Sequence, residues 1–191
     1  MTLDINFDRE ERGVAMGLTP VGDLLLAASI NIMKPSTGAS MRDIYHYPSQ
    51  IAPDGSVVRS AVMGFPSTVF TGVAAMAHGM VIAPDGRIYM AGNTDGVITL
   101  ARYLPNFTLD TTFSYDGWVA VNLGTAEDIL LQPDGKIVVG GTSNQDYGLV
   151  RFHADGMLDD SFGLHGVVVA NIGGNDTIYD LEWQSDGKIL A

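Results

Sequence analysis

A chain of 191 residues, 46% of them hydrophobic, is long enough to bury a sizeable core. Its net charge of −12 arises from 22 acidic residues against ten Lys and Arg, and this scarcity of positive charge disfavours binding to nucleic acid or anionic membranes. The absence of cysteine excludes disulfides, thiolate zinc sites and a cysteine nucleophile, and no apolar run approaches the ~18 residues that would insert into a membrane.

The strands that the sequence predicts recur along the chain as copies of one unit. Residues 86–124 align with residues 135–173 without a gap, and glycine, arginine, aspartate and phenylalanine positions coincide. A unit of this size cannot bury its apolar face alone and has to stack on its neighbours. We predict a single domain over 1–191, with repeats at about 14–65, 73–124 and 125–173 and a partial repeat at 174–191.

Each unit contains four short runs suited to strands. In the third unit these are 126–132, 136–141, 147–153 and 166–171, rich in Val, Ile and Leu and separated by glycine-containing turns. Pro84-Asp85-Gly86 and Pro133-Asp134-Gly135 supply turn chemistry for antiparallel strands. No segment shows a sustained helical period. The pattern predicts an all-β, β-propeller-like array of four-stranded antiparallel blades, with about three and a half repeats.

One motif carries a resemblance to a known family. The second and third units read PDGRIYMAG and PDGKIVVGG after the turn, and the third continues with LVRF and LDDSFG. This motif resembles the delta-60 repeat found in tandem in large bacterial proteins, and TLDINF at residues 2–7 matches its LDxSF element. The first unit departs from the pattern, because residues 29–43 form an insert-like stretch and the LDxSF element is missing. The resemblance implies a propeller-like, surface or secreted (extracellular) bacterial protein without a defined common activity.

The ends of the sequence fall inside repeats. Residues 178–191 are expected to form an incomplete blade whose edge carries unpaired backbone groups, which proteins usually avoid. We expect this edge to pair with residues 2–13, with another chain or with further sequence of a larger propeller, since roughly four to eight blades are needed for closure.

Repetition separates structural residues from candidate functional ones. A residue type that returns in every unit solves a packing problem common to all blades. Such residues are the turn aspartates Asp85, Asp134 and Asp186, the third-strand arginines Arg102 and Arg151, and Phe113 and Phe162, which we expect to plug the space between blades. Residues 173–177 resemble one calcium-binding nonapeptide, but such sites need stacked copies, so an expanded loop explains them better.

Polar loops that differ between units form the first candidate site. The loops after the second strand of each unit (29–43, 92–95 and 142–146) and the loop between units at 173–176 are expected on one face. The predicted ligand-binding residues are Asp95, Asn144, Asp146, Asn175 and Asp176. The alternative is that these residues form solvated turns.

The second candidate site lies at the entrance of the central channel. The innermost strands are predicted at 74–83, 126–132 and 178–184, and the candidate metal ligands on them are His78, Glu127, Asp128 and Asp180. Converging carboxylates suit a hard cation such as Ca²⁺, although the sequence by itself requires no cofactor. The alternative is that Asp128 and Asp180 cap strands or form hydrogen bonds within a blade.

Two functions follow from these alternatives. The first is a non-catalytic interaction or structural module of a bacterial surface or secreted protein, with a protein or glycan as its ligand. The second is a metal-assisted hydrolase, similar to propeller lactonases of the gluconolactonase type, in which the channel carboxylates hold the ion. No catalytic motif such as HExxH is present, which favours the first.

Overall fold

The computed structural model describes residues 11–33, 42–60, 76–94 and 96–191. Over these residues every regular element is a β-strand, and none forms a helix long and apolar enough to span a membrane. All strand pairs are antiparallel and follow the order of the chain. The prediction of an all-β, propeller-like array of four-stranded blades is confirmed.

The described strands form three four-stranded sheets and one two-stranded sheet. The first sheet contains β1 (Glu11–Leu18), β2 (Leu24–Met33), β3 (Arg42–Ile51) and β4 (Val57–Ser60). The second contains β5 (Met76–Ile82), β6 (Ile88–Thr94), β7 (Val97–Tyr103) and β8 (Trp118–Val121). The third contains β9 (Thr125–Leu131), β10 (Ile137–Ser143), β11 (Asp146–Phe152) and β12 (Val167–Ala170), and it is followed by β13 (Glu182–Trp183) and β14 (Ile189–Leu190).

The first strands of the sheets lie side by side. β1 contacts β5, and β5 contacts β9, so these strands form the inner side of the array. The strands of each four-stranded sheet run between two ends of the array, which we name by the connections that they carry. We call the end that carries the β1–β2, β5–β6 and β9–β10 turns the turn end. We call the opposite end, which carries the β6–β7 and β10–β11 turns and the connections between sheets, the loop end.

The turn end has the chemistry that the sequence predicts. The carboxylate of Asp85 accepts a hydrogen bond from the backbone N–H of Arg87 at 3.0 Å, and Asp134 accepts one from Lys136 at 3.1 Å. Such local bonds fix the turn and leave the flanking residues in register. The recurring turn aspartates are structural, as expected.

The second and third sheets are held together by recurring residues of the repeat, because Arg102 and Phe113 of the second unit contact the third. Arg102 Nε donates to Asp110 Oδ2 at 2.8 Å, and Arg102 Nη1 donates to the carbonyl of Ala154 in the third sheet at 2.8 Å. Phe113 lies under the guanidinium at 4.8 Å and belongs to an apolar cluster drawn from both sheets. The predicted plug between blades is therefore confirmed for Phe113.

The strands are longer, and the loops shorter, than the sequence suggests. Residues 29–33 and 42–43 of the insert-like stretch lie in β2 and β3, while 34–41 and Asp95 lie outside the described residues. Of the predicted loop 142–146, only Asn144 and Gln145 form the turn. Small polar and β-branched residues at strand ends occur both in paired strands and in loops. Composition alone therefore does not locate the ends of these strands.

Candidate functional site

A β-bulge interrupts the first strand of each four-stranded sheet near the loop end. The pairing skips one residue between Gly13 and Ala15 in β1, between Ala77 and Gly79 in β5, and between Ala126 and Asp128 in β9. The bulged residues of β5 and β9 are His78 and Glu127. Because a bulge turns a side chain away from the regular alternation, it can aim both side chains at a common point.

His78 and Glu127 do meet at that point. His78 Nδ1 lies 3.4 Å from Glu127 Oε2, and the two side chains are 28% and 26% exposed. They come from adjacent inner strands of different sheets, so the pair lies at the loop end of the inner side. Two of the four predicted metal ligands are thus brought together, and both remain accessible to solvent.

Asn93, at the end of β6, orients this pair. Its Oδ1 accepts a hydrogen bond from the backbone N–H of Ala126 at 2.5 Å, which leaves its Nδ2 facing His78 Nε2 at 3.4 Å. Since Nδ2 can only donate, Nε2 accepts, and Nδ1–H is then the donor towards Glu127. We call His78, Asn93 and Glu127 the channel-mouth triad.

Asn93 lies within the predicted loop 92–95, but the sequence did not identify it as a functional residue. A signal exists, because the aligned residue of the next unit, Thr142, is also polar and bonds across to the following segment through Thr177 Oγ1 at 2.7 Å. A polar residue at the end of β6 and of β10 thus links its unit to the next.

Asp128 and Asp180, the other two predicted metal ligands, do not join the triad. Asp128 Oδ2 accepts a hydrogen bond from the backbone N–H of Leu181 at 2.7 Å and so ties the third sheet to the segment that follows it. Burial raises the pKa of Asp128, and the charge of Asp180 adds to the rise. Asp180 itself is exposed. Across 11–33, 42–60, 76–94 and 96–191, no three His, Asp or Glu side chains are placed to hold a metal ion, and a Ca²⁺ site stays a prediction.

The predicted ligand-binding residues of the third unit, and those of the connection that follows it, lie at the loop end. Asn144 and Gln145 form the exposed β10–β11 turn with φ of 49° and 74°, the conformation that two-residue hairpins require. Asp146 Oδ1 accepts a hydrogen bond from Asn171 Nδ2 at 2.6 Å, which joins this turn to the connection towards β13. Asn175, in that connection, is exposed.

Asp176 has a different environment from the residues around it. Its side chain is 7% exposed, and its Oδ2 accepts a hydrogen bond from the backbone N–H of Ile172 at 2.8 Å. Its own N–H donates to the carbonyl of Gln145 at 2.7 Å. Asp176 therefore positions the loop and draws it against the β10–β11 turn, whereas Asn144 and Asn175 face solvent. Sequence reasoning could not separate these roles, because all are small polar residues in a glycine-rich segment.

Comparison with known protein families finds a match in the same segment of the second and third units. Residues 83–113 and 132–162 match the family model described as "Domain of unknown function (DUF5122) beta-propeller". Each matched segment runs from the turn between the first two strands to the plug phenylalanine. No curated protein matches the chain. The chain is thus similar, in these two segments, to a family of propeller-type repeats, and its fold is a propeller-like array of β-blades.

Proposed function

We propose that this chain is a non-catalytic binding module of the delta-60 repeat type, with its ligand site at the loop end. The observation that carries the proposal is the channel-mouth triad. Two bulged side chains from adjacent sheets converge to 3.4 Å, stay partly exposed and are oriented by a third polar residue. Such pre-oriented donors and acceptors at the mouth of a rigid scaffold are typical of recognition sites.

The exposed loop residues extend this site. Asn144 and Asn175 offer amide donors and acceptors at the same end, beside the Asp146 carboxylate. Amides, a carboxylate and an imidazole suit a ligand rich in hydroxyl or peptide groups, so the ligand class is a glycan or a polar protein surface. A location outside the bacterial cell or on its surface rests on the repeat resemblance, and the net charge of −12 disfavours nucleic acid as the ligand.

The pairing within the site supports binding over hydrolysis. Both ring nitrogens of His78 already have partners, Glu127 and Asn93, and Asp128 holds a backbone N–H. In a metal-assisted hydrolase, a ring nitrogen of His78 would have to bind the ion or accept a proton, so His78 would first have to give up Asn93 or Glu127.

The test is a screen of the purified chain against a glycan array and a peptide array, followed by variants of the triad. His78→Ala and Glu127→Gln should each weaken the ligand found by about tenfold or more, as for a lost hydrogen bond to a charged or oriented group. Asp54→Asn is the matched control, because it also alters one polar side chain but lies at the turn end. Undiminished binding by both triad variants would refute the site. Hydrolysis of a lactone with Ca²⁺ that Glu127→Gln abolishes would establish the hydrolase instead.

A further inference from the structure

Hydrogen bonds at the loop end fix the β10–β11 turn against the connection that leads to β13. The carbonyl of Gln145 accepts the backbone N–H of Asp176 at 2.7 Å, and Asp146 Oδ1 accepts Asn171 Nδ2 at 2.6 Å. One bond joins the main chains and the other joins side chains, so the two segments are held together at two separate points. The side chains that project from them are therefore presented from a fixed backbone.

Three primary amides project from these two segments into solvent. They are the side chains of Asn144, Gln145 and Asn175, which we call the amide triplet. None of the three side-chain amides forms a hydrogen bond with another residue that the structure describes. The carboxylates of Asp146 and Asp176, by contrast, are used to hold the loops. The amide triplet is thus a set of uncharged groups that keep their capacity to donate and to accept.

The backbone at Gln145 indicates that its side chain is retained at a conformational cost. Gln145 has a φ of 74°, and Gly96, which occupies the aligned position of the preceding unit, has a φ of 76°. Glycine adopts such a positive φ without strain, whereas a residue with a Cβ does not. A turn that had only to close its hairpin would be better served by glycine. The glutamine therefore indicates a function for the side chain at this position.

We propose that the amide triplet binds a glycan through vicinal hydroxyl groups, with Gln145 as a contact residue. This assignment rests on the proposed function, which puts the ligand site at the loop end, and it selects one of the two ligand classes named there. A side-chain amide carries its acceptor oxygen and its donor nitrogen side by side, so it pairs with two neighbouring hydroxyls, of which one donates and the other accepts. Sugar rings offer such pairs on adjacent carbons.

The lack of charge on the amide triplet favours a glycan over a protein surface. Protein partners are held mainly by aromatic, apolar and arginine anchors, and the three amide groups offer neither an apolar surface nor a charge to receive such anchors. A glycan can bind through several directed hydrogen bonds at once. The net charge of −12 also disfavours acidic polysaccharides, so the expected ligand is a neutral glycan.

The test uses a glycan array of neutral oligosaccharides, whose strongest binder is then titrated into the ¹⁵N-labelled chain. Saturable shifts should include the backbone amides of Asn144, Gln145 and Asn175. The same oligosaccharide with every hydroxyl O-methylated should bind at least about tenfold more weakly, since it has lost its hydroxyl donors. Absence of binding by any neutral oligosaccharide at millimolar concentration, shifts confined to the turn end, or equal binding of the methylated form would overturn the proposal.

Two variants of Gln145 separate the role of its side chain from that of its backbone. Gln145→Gly and Gln145→Ala should each weaken the oligosaccharide at least about fivefold, because both remove the amide. Gln145→Gly should unfold at a higher urea concentration than Gln145→Ala, because only glycine relieves the positive φ. His165→Gly is the matched control, since His165 is also exposed at a positive φ, of 51°, but lies at the turn end. It should leave the affinity for the oligosaccharide unchanged.

The triad variant Glu127→Gln distinguishes the amide triplet from the channel-mouth triad. If both Gln145 variants bind the oligosaccharide as tightly as the unaltered chain while Glu127→Gln does not, the amide triplet is refuted and the triad stands. Weaker binding by His165→Gly, or equal urea midpoints of Gln145→Gly and Gln145→Ala, would also contradict the assignment. Capture of peptides but of no glycan, with loss of the peptides in the Gln145 variants, would replace the glycan by a polypeptide.

Discussion

Replacement of Phe113 by alanine should strongly destabilise the junction of the second and third sheets. The ring is fully buried, and it is enclosed on one side by Gly156 and on the other by Tyr89 and Arg102. The backbone at Gly156, and an arginine held by Asp110 and by the carbonyl of Ala154, cannot readily collapse into the space left by the ring. A buried Phe→Ala change that leaves a cavity costs about 3–5 kcal/mol, a large share of the roughly 5–15 kcal/mol of a typical domain.

Phe162→Ala is the matched control for this prediction. Phe162 has the same place in the third unit and the same stacking on an arginine, with Arg151 4.4 Å above the ring, but its side chain is only half-buried. Its truncation removes less area from the core and leaves no enclosed cavity. We expect a loss of at most about 1.5 kcal/mol.

The free energy of unfolding of both variants is measured by urea unfolding, followed by circular dichroism. Hydrogen exchange of the β7 and β10 amides then shows where in the structure stability is lost. The slope of the transition should stay constant while the midpoint falls, and the melting temperature of the Phe113 variant should drop by roughly 6–20 °C. Equal losses for the two variants, or a loss below about 1 kcal/mol for Phe113→Ala, would refute the reasoning that this ring couples the sheets.

Other predictions concern the carboxylates. Asp128→Ala should cost about 1–3 kcal/mol, measured by urea unfolding, because it orphans the N–H of Leu181, whereas Asp128→Asn keeps that bond and should cost less. Since the pKa of Asp128 is raised, the folded chain retains a proton that the unfolded chain has lost, so this group lowers stability as pH rises above 3.8, and Asp128→Asn should remove that slope. For Asp110, burial raises the pKa, but hydrogen bonds from Thr112 and Arg102 outweigh it and lower the pKa, so its stabilisation should be lost as pH falls below 3.8. Asp110→Ala should cost about 3–5 kcal/mol at pH 7, because it leaves the Arg102 guanidinium buried without its carboxylate, and an unchanged urea midpoint would contradict this.

Features that repeat could be predicted from the sequence. The turn aspartates, the third-strand arginines and the Phe113 plug recur at fixed spacing, so the aligned units expose them as structural before any coordinates are known. Their roles then follow from elementary chemistry, since an Asp before Gly closes a turn and an Arg beside an Asp forms an ion pair.

Features that depend on register could not be predicted in this way. The bulges at His78 and Glu127 arise from how β5 pairs with β6 and β9 with β10, which the order of residues along one strand does not display. The burial of Asp176 likewise depends on the Gln145 carbonyl, which lies far along the chain. Long-range contacts of this kind decide which polar residue faces a ligand and which holds a loop.

The interlocking of the second and third sheets also bears on how arrays of this type can grow. A unit that starts at Pro84 offers a phenylalanine to its successor, and a unit that starts at Pro133 receives it in the gap left by Gly156. A duplicated stretch such as 133–184 carries both the receiving glycine, Gly156, and a phenylalanine to donate, Phe162, so a tandem copy could join the array without redesign of either neighbour. The junction of the first and second sheets lacks this interchangeability, because Phe107 closes the gap from the receiving side and an inserted copy would meet a ring where it needs a glycine.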